Sequence, residues 1–203
     1  MPFDAIIRLK ITLAEVKPAV VRTLAVPLTI TLDRLHLTIQ AAMGWTNSHF
    51  WEFRAAEVGF GLRDPEAGNT DVIDAGKTRL LDVIEDTGVK TIHYFYDFGD
   101  GWDHVIRLGR ITNPEPGAAY PCLLDASGRR PPEDIGGPWG YAELLEALAD
   151  PNHERREELE YVVESGFDPN LVDVATLAAE VAALAERWSR NPAQPSPHAA
   201  AID

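Results

Sequence analysis

Residues 91–104 read Thr91-Ile92-His93-Tyr94-Phe95-Tyr96-Asp97-Phe98-Gly99-Asp100-Gly101-Trp102-Asp103-His104. A β-prone aromatic run meets Asp-Gly and then a second β-prone run to Ile111, the pattern of a β-hairpin. With Asp100-Gly101 in the two turn positions, Gly99 faces Trp102, Phe98 faces Asp103 and Asp97 faces His104. Directly opposed residues have Cβ atoms about 4.5–5.5 Å apart. This register predicts that Asp97 and His104 share one sheet face, close enough for a hydrogen bond or a common metal ion.

Upstream, Ile7, Leu9, Ile11 and Leu13 alternate with Arg8, Lys10 and Thr12, which predicts a half-buried strand. Lys17-Pro18 reads as a turn, and Val20–Val26 as a second strand stopped by Pro27. The period then becomes helical. Leu32, Leu35, Ile39, Ala42 and Met43 follow an N-cap at Thr31 or Asp33 and end at Gly44. Phe50–Ala56 reads as a strand, with Val58–Leu62 as its partner. A polar loop over residues 64–78 and a short helical segment near Leu80–Ile84 complete the first half.

Downstream, six of the 27 residues in 112–138 are proline, which predicts an extended Pro/Gly-rich loop. Helices are expected at Tyr141–Leu148, from His153 or Glu154 to Glu164, and at Val174–Trp188. A tail over 189–203 has the composition of a disordered segment. The expected architecture is α+β: an N-terminal ββαβ sheet of β-grasp-like arrangement plus the hairpin, then a C-terminal helical segment packed on it. The expected organisation is one domain over 1–188, sheet-rich to residue 111 and helical from 139.

The 203 residues carry 18 Lys+Arg and 32 Asp+Glu, a net charge of −14. Residues 1–63 hold 7 basic and 5 acidic side chains, so residues 64–203 carry −16. That field opposes direct nucleic-acid binding and anionic membranes, and directs attention to a protein partner for the acidic C-terminal helices. No apolar run has the length of a membrane helix. MPFDAIIRLK lacks a signal-peptide pattern, and the lone Cys122 excludes an internal disulfide framework. The expected location is the cytoplasm.

Chemistry concentrates at the hairpin. Asp97 would orient His104 and raise the basicity of its outer nitrogen, a catalytic pairing; a cross-strand ion pair that pins register is the plainer reading. His36 borders the apolar stripe of the first helix, and His49 follows the Trp45-Thr46-Asn47-Ser48 turn. His36, His49, Asp97, Asp100 and His104 together offer N and O ligands for Zn²⁺, Mn²⁺ or Fe²⁺. Trp45, Trp51, Trp102 and Trp139 read as core. Gly136-Gly137-Pro138-Trp139-Gly140-Tyr141 reads as a structural turn into a helix, because the Lys-Ser/Thr of a P-loop and the GxGxxG of a dinucleotide fold are both missing. There is no nucleotide-cofactor motif, and Cys122 has no visible means of lowering its pKa.

Three strings carry a family resemblance: Ile39-Gln40-Ala41-Ala42-Met43-Gly44-Trp45, Phe98-Gly99-Asp100-Gly101-Trp102 with His104, and Pro131-Pro132-Glu133-Asp134 through Tyr141. With Phe167-Asp168-Pro169 they resemble the plasmid pRiA4b ORF-3-like family over roughly residues 5–180. The resemblance implies an α+β fold and an association with mobile elements, some relatives being labelled resolvase-like. No serine or tyrosine nucleophile in context supports recombinase chemistry here. Members often carry cysteines at the positions of Arg130 and Ile135 beside one near Cys122, a set that would clamp zinc. With Arg130 and Ile135 in place that clamp is lost, and packing of Trp139 and Tyr141 is expected to hold the loop instead. Three functions follow as expectations: a protein-interaction or binding module, a metal-dependent hydrolase or nuclease-like enzyme, and a DNA-associated resolvase-like accessory protein.

Overall fold

A computed structural model describes residues 5–62 and 71–191. The expected tail therefore lies outside the described residues from position 192, as does most of the first half of the 64–78 loop. The elements are β1 (Ile6–Leu13), β2 (Val21–Pro27), α1 (Leu32–Met43), β3 (Trp51–Ala55), β4 (Val58–Gly61), β5 (Ile73–Asp74), α2 (Leu80–Thr87), β6 (Thr91–Tyr96), β7 (Trp102–Thr112), β8 (Cys122–Ser127), α3 (Gly137–Ala149), α4 (Arg156–Glu160) and α5 (Val174–Arg190). Eight strands form one sheet in the order β5-β4-β3-β6-β7-β1-β2-β8. Every pairing is antiparallel except β4 with β5. The fold is α+β, as the sequence predicts.

Alternation in β1 sets the layers. Ile7, Leu9, Ile11 and Leu13 are buried while Arg8 and Lys10 point to solvent. The central place of β1, between β2 and β7, makes it the floor of the core. Helix α1 lays Leu32, Leu35, Ile39, Ala42 and Met43 on that floor and ends at Gly44, whose φ of +81° is the left-handed conformation glycine adopts without strain. Thr31 precedes α1 without a capping side-chain bond. Helix α5 buries Leu177, Val181, Leu184 and Trp188 against α1 and β8.

Several expectations are corrected by burial. The hairpin between β6 and β7 pairs Tyr96 with Trp102, Phe95 with Asp103 and Tyr94 with His104, so the connection is the five residues Asp97–Gly101. Asp97 does not face His104. The alternative register would have turned large rings outward, because a strand's side chains alternate between faces. In the observed one Tyr94, Tyr96, Trp102 and His104 are all buried. The 112–138 loop contains a strand: β8 pairs with β2, so the prolines flank it instead of excluding it. The second C-terminal helix shrinks to α4, and Ser189 and Arg190 belong to α5.

Trp139 is 87% exposed and Tyr141 1% exposed, so only the tyrosine packs under the loop; the tryptophan is not core. The Tyr141 hydroxyl is buried without a partner. Removing an unsatisfied buried hydroxyl relieves a desolvation cost. Tyr141→Phe is therefore expected to leave the melting temperature unchanged or raise it, Tyr141→Ala to lose about 3–5 kcal/mol, and Trp139→Ala to be neutral. Thermal and urea unfolding of the three variants check this, and destabilisation by Trp139→Ala would restore the packing role of that ring.

Candidate functional site

Residues 45–50, between α1 and β3, are held in place from three sides. The Asn47 amide donates to Gln40 Oε1 at 3.2 Å, and the Ser48 amide to the Tyr96 hydroxyl at 3.1 Å. Thr46 donates its amide (3.1 Å) and hydroxyl (2.7 Å) to Glu133 Oε2, while the Tyr96 hydroxyl donates to Glu133 Oε1 at 2.7 Å. Burial and the Glu133 carboxylate both push the Tyr96 pKa up, keeping it a neutral donor. Glu133 thus ties the segment before α3 to the segment before β3, although the two are far apart in the chain.

That tie brings Asp134 to His49. His49 Nε2 stands 3.3 Å from Asp134 Oδ1 and 3.7 Å from Asp97 Oδ2. The three ligand atoms all lie within 4.8 Å of one another. Asp97 leaves β6 with φ +56°, its amide donating to the Phe50 carbonyl at 2.9 Å. Its Oδ1 accepts from the Gly99 amide at 3.0 Å, which leaves Oδ2 for His49. Asp134 also has positive φ, +59°. His49 Nε2 itself is buried without a hydrogen-bond partner. Ligand atoms bonded to one ion at about 2.1 Å stand about 3.0–3.4 Å apart at octahedral or tetrahedral angles. The His49–Asp134 distance lies in that range, and the 3.7 Å contact needs only a small contraction.

The other expected ligands lie elsewhere. His36 is buried and stacked on Trp51 at 4.1 Å. Its Nε2 meets Asn47 Oδ1 at 2.6 Å and its Nδ1 the Tyr94 hydroxyl at 2.7 Å. Asn47 Oδ1 can only accept, so Nε2 carries the proton and Nδ1 accepts from Tyr94. Both ring nitrogens are spent and none remains for a metal. His104 is fully buried, donates from Nδ1 to the Tyr94 carbonyl at 3.0 Å, and has no contact with Asp97. Asp100 accepts from the Gly136 amide at 3.2 and 3.3 Å and so fastens the hairpin tip to the start of α3. Gly137 is required there, since a Cβ would meet the Asp100 carbonyl at 2.1 Å.

Of the five expected metal ligands, His49 and Asp97 come together, while His36, Asp100 and His104 do not join them. Asp134 was missed, although it sits in a motif the sequence reading quoted. The carboxylate–histidine pair on the strands is a different one: His93 Nδ1 meets Asp103 at 3.0 and 3.1 Å on the opposite, more open face. Around His49 and Asp97 their chain neighbours Phe50 and Phe98 are both exposed, as is Trp139 in the first turn of α3.

A mostly antiparallel eight-stranded sheet packed against α1 and α5, with a His-Asp-Asp cluster at the hairpin tip whose geometry could hold a cation, defines an α+β protein. The chain belongs to the Plasmid pRiA4b ORF-3-like protein family, whose sequence profile matches residues 5–176. An uncharacterized protein, y4hQ, of Sinorhizobium fredii is 52% identical over 188 residues, covering 92% of this chain and 96% of its own. The crystal structure of MM3350, a protein of unknown function from Methanosarcina mazei Go1, superposes with a TM-score of 0.77 at 31% identity, covering 86% of this chain and 98% of that one. Among the described residues no helix is long and apolar enough to cross a membrane.

The buried histidines make stability pH-dependent. Burial lowers the His36 pKa to about 3 and the His104 pKa to about 4, against about 6.5 in an unfolded chain. The folded state therefore binds fewer protons. Their contribution is complete above pH about 6.5 and is lost as pH falls towards 4, by about 1.4 kcal/mol per pH unit for each histidine. Urea unfolding at pH 7, 6 and 5 should show a slope that approaches the sum of the two between pH 6 and 5 and is shallower between pH 7 and 6, reduced by about half in His104→Phe.

Proposed function

We propose that this protein is a divalent-metal-dependent enzyme of the hydrolase class, with His49, Asp97 and Asp134 as the protein ligands. The convergence of His49, Asp97 and Asp134 from three separate segments, each with a ligand atom within 4.8 Å of the others, carries the reading. One imidazole and two carboxylates suit Zn²⁺, Mn²⁺ or Fe²⁺. Three protein ligands leave coordination positions free, the pattern of catalytic and not of structural metal sites. Such an ion supplies a water of lowered pKa and an electrophilic oxygen-binding position. The chain's own part is to hold the ligands, through Glu133 and the Asp97 amide, and to offer exposed rings at Phe50, Phe98 and Trp139 as substrate contacts. The net charge of −14 favours cation capture.

A second reading is the protein-interaction module. Tyr161, 91% exposed, and Leu171, 69% exposed, favour it, because both lie in the acidic C-terminal third where a partner was expected.

Protein purified without metal-affinity chromatography and titrated calorimetrically with Mn²⁺ and Zn²⁺ separates the two. The enzyme reading expects near one ion per chain and an affinity reduced by about a hundredfold or more in His49→Ala and Asp134→Asn. His93→Ala should bind as the parent does. Metal-dependent cleavage of bis(p-nitrophenyl) phosphate, lost in Asp134→Asn, would complete the case. Ion binding unaltered by both ligand variants would sink it.

A further inference from the structure

A cleft of about 490 Å³ lies between the end of α1, the segment after β8 and the start of α5. Three of its lining residues are arginines, Arg22, Arg129 and Arg130, an unexpected concentration in so acidic a chain. Met43, Val163, Phe167, Leu171 and Leu177 supply apolar wall.

Arg22 projects from β2 on the core side and is 1% exposed. Its Nε donates to the Ala42 carbonyl at 2.6 Å, and its Nη1 to the Val21, Ser127 and Gly128 carbonyls at 2.8, 2.9 and 3.1 Å. Its Nη2 is buried with no partner. No carboxylate lies within ion-pair distance of Arg22 among the described residues, and burial draws its pKa down to about 10. Buried charges are normally paired, because the cost of desolvation is otherwise uncompensated. Arg130, half-buried and under the influence of the Glu133 carboxylate, is likewise held by backbone, with Nε on the Gly44 carbonyl at 2.7 Å and Nη1 on the Pro131 carbonyl at 3.0 Å. Backbone carbonyls thus fix both guanidinium planes, and Arg22 Nη2 is left without a partner among the described residues.

The carboxylates of the cleft are largely occupied. Asp173 caps α5 by accepting from the Thr176 amide at 3.0 Å and hydroxyl at 2.7 Å. Glu164 pairs with Arg129, whose guanidinium also lies over the Phe167 ring. Arg130 feels Glu133 and, more weakly, Glu180. Glu164 is the movable member, its side chain being 71% exposed.

We propose that this cleft binds a small organic anion, its carboxylate or phosphate head taken by Arg22 and Arg130 and its apolar body laid against Phe167, Leu171 and Leu177. The forked guanidinium suits either head group. A cleft of this volume falls within the range of small-molecule sites. Arg129 also lines the cleft and joins Arg22 and Arg130 on the head group once released by Glu164, whose carboxylate is thus an internal stand-in for the anion.

Calorimetry with 4-phenylbutyrate, 4-phenylbutanol and 4-phenylbutylamine tests the charge requirement with one apolar body, and inorganic phosphate tests the head group alone. The acid should bind at least about tenfold more tightly than the alcohol, and the amine should not bind. Arg130→Gln should lose about tenfold in affinity for the acid, whereas Glu164→Gln should gain a few-fold, a direction that a purely structural role for these residues does not produce. Phosphate competing with 4-phenylbutyrate would assign the head-group site to phosphate as well as carboxylate. Equal binding of acid and alcohol, or an acid affinity unchanged in both variants with their folds confirmed by circular dichroism, would overturn the proposal. Glu164 is surface-exposed, so its variant keeps the test valid if Arg130→Gln fails to fold.

Discussion

Glu133 accepts hydrogen bonds from Thr46 and Tyr96 on elements that are remote from it in sequence. The placing of Asp134 at the hairpin tip rests chiefly on this carboxylate, beside the Gly136–Asp100 contact. It draws the Pro131–Gly136 segment across the end of the sheet and puts Asp134 opposite His49; with burial, it keeps the Tyr96 hydroxyl protonated, so that the hydroxyl donates to Glu133 while its oxygen receives the Ser48 amide. Charge-assisted hydrogen bonds of this kind are stronger than neutral ones. Without that carboxylate, no hydrogen bond among the described residues holds the Asp134 side chain, and His49 keeps only its Asp97 neighbour.

Beneath the tip lies a core chosen by aromatic burial. Trp45 stacks on Tyr96 at 5.1 Å and meets Trp102 at 5.9 Å and His104 edge-on at 5.2 Å. The rings are large enough that their burial outweighs the local preference of Asp-Gly for a two-residue turn. His36 and His104 belong to this core as neutral hydrogen-bonding rings, and the same burial that excludes them from metal chemistry lowers their pKa values. The two carboxylate–histidine arrangements that do reach the surface are His49 with Asp97 and Asp134, and His93 with Asp103 on the other face.

Much of this was legible in the residues. Alternation in Ile6–Leu13 and the helical stripes of Leu32–Met43 and Val174–Arg190 gave β1, α1 and α5 almost to their ends, because each buries one regular face. The strand β8 was hidden because its pairing with β2 is long-range and its flanks are rich in proline. His49 and Asp97 could be nominated from residue type alone. Asp134 could not, since no periodicity links a loop before α3 to a turn before β3; the signal was present only in its inclusion, with Glu133, in a long and unusual string. The misread hairpin had a related cause: local turn chemistry was given more weight than the need to bury Tyr94, Tyr96 and Trp102 on one face.

The central claim is that three segments of the chain converge to hold one cation. A crystal grown with Mn²⁺ and measured for anomalous scattering tests it most directly. The account predicts one strong anomalous peak about 2.0–2.3 Å from His49 Nε2, Asp97 Oδ2 and Asp134 Oδ1. A map with no peak there, or with its strongest peak at His93 and Asp103, would contradict it.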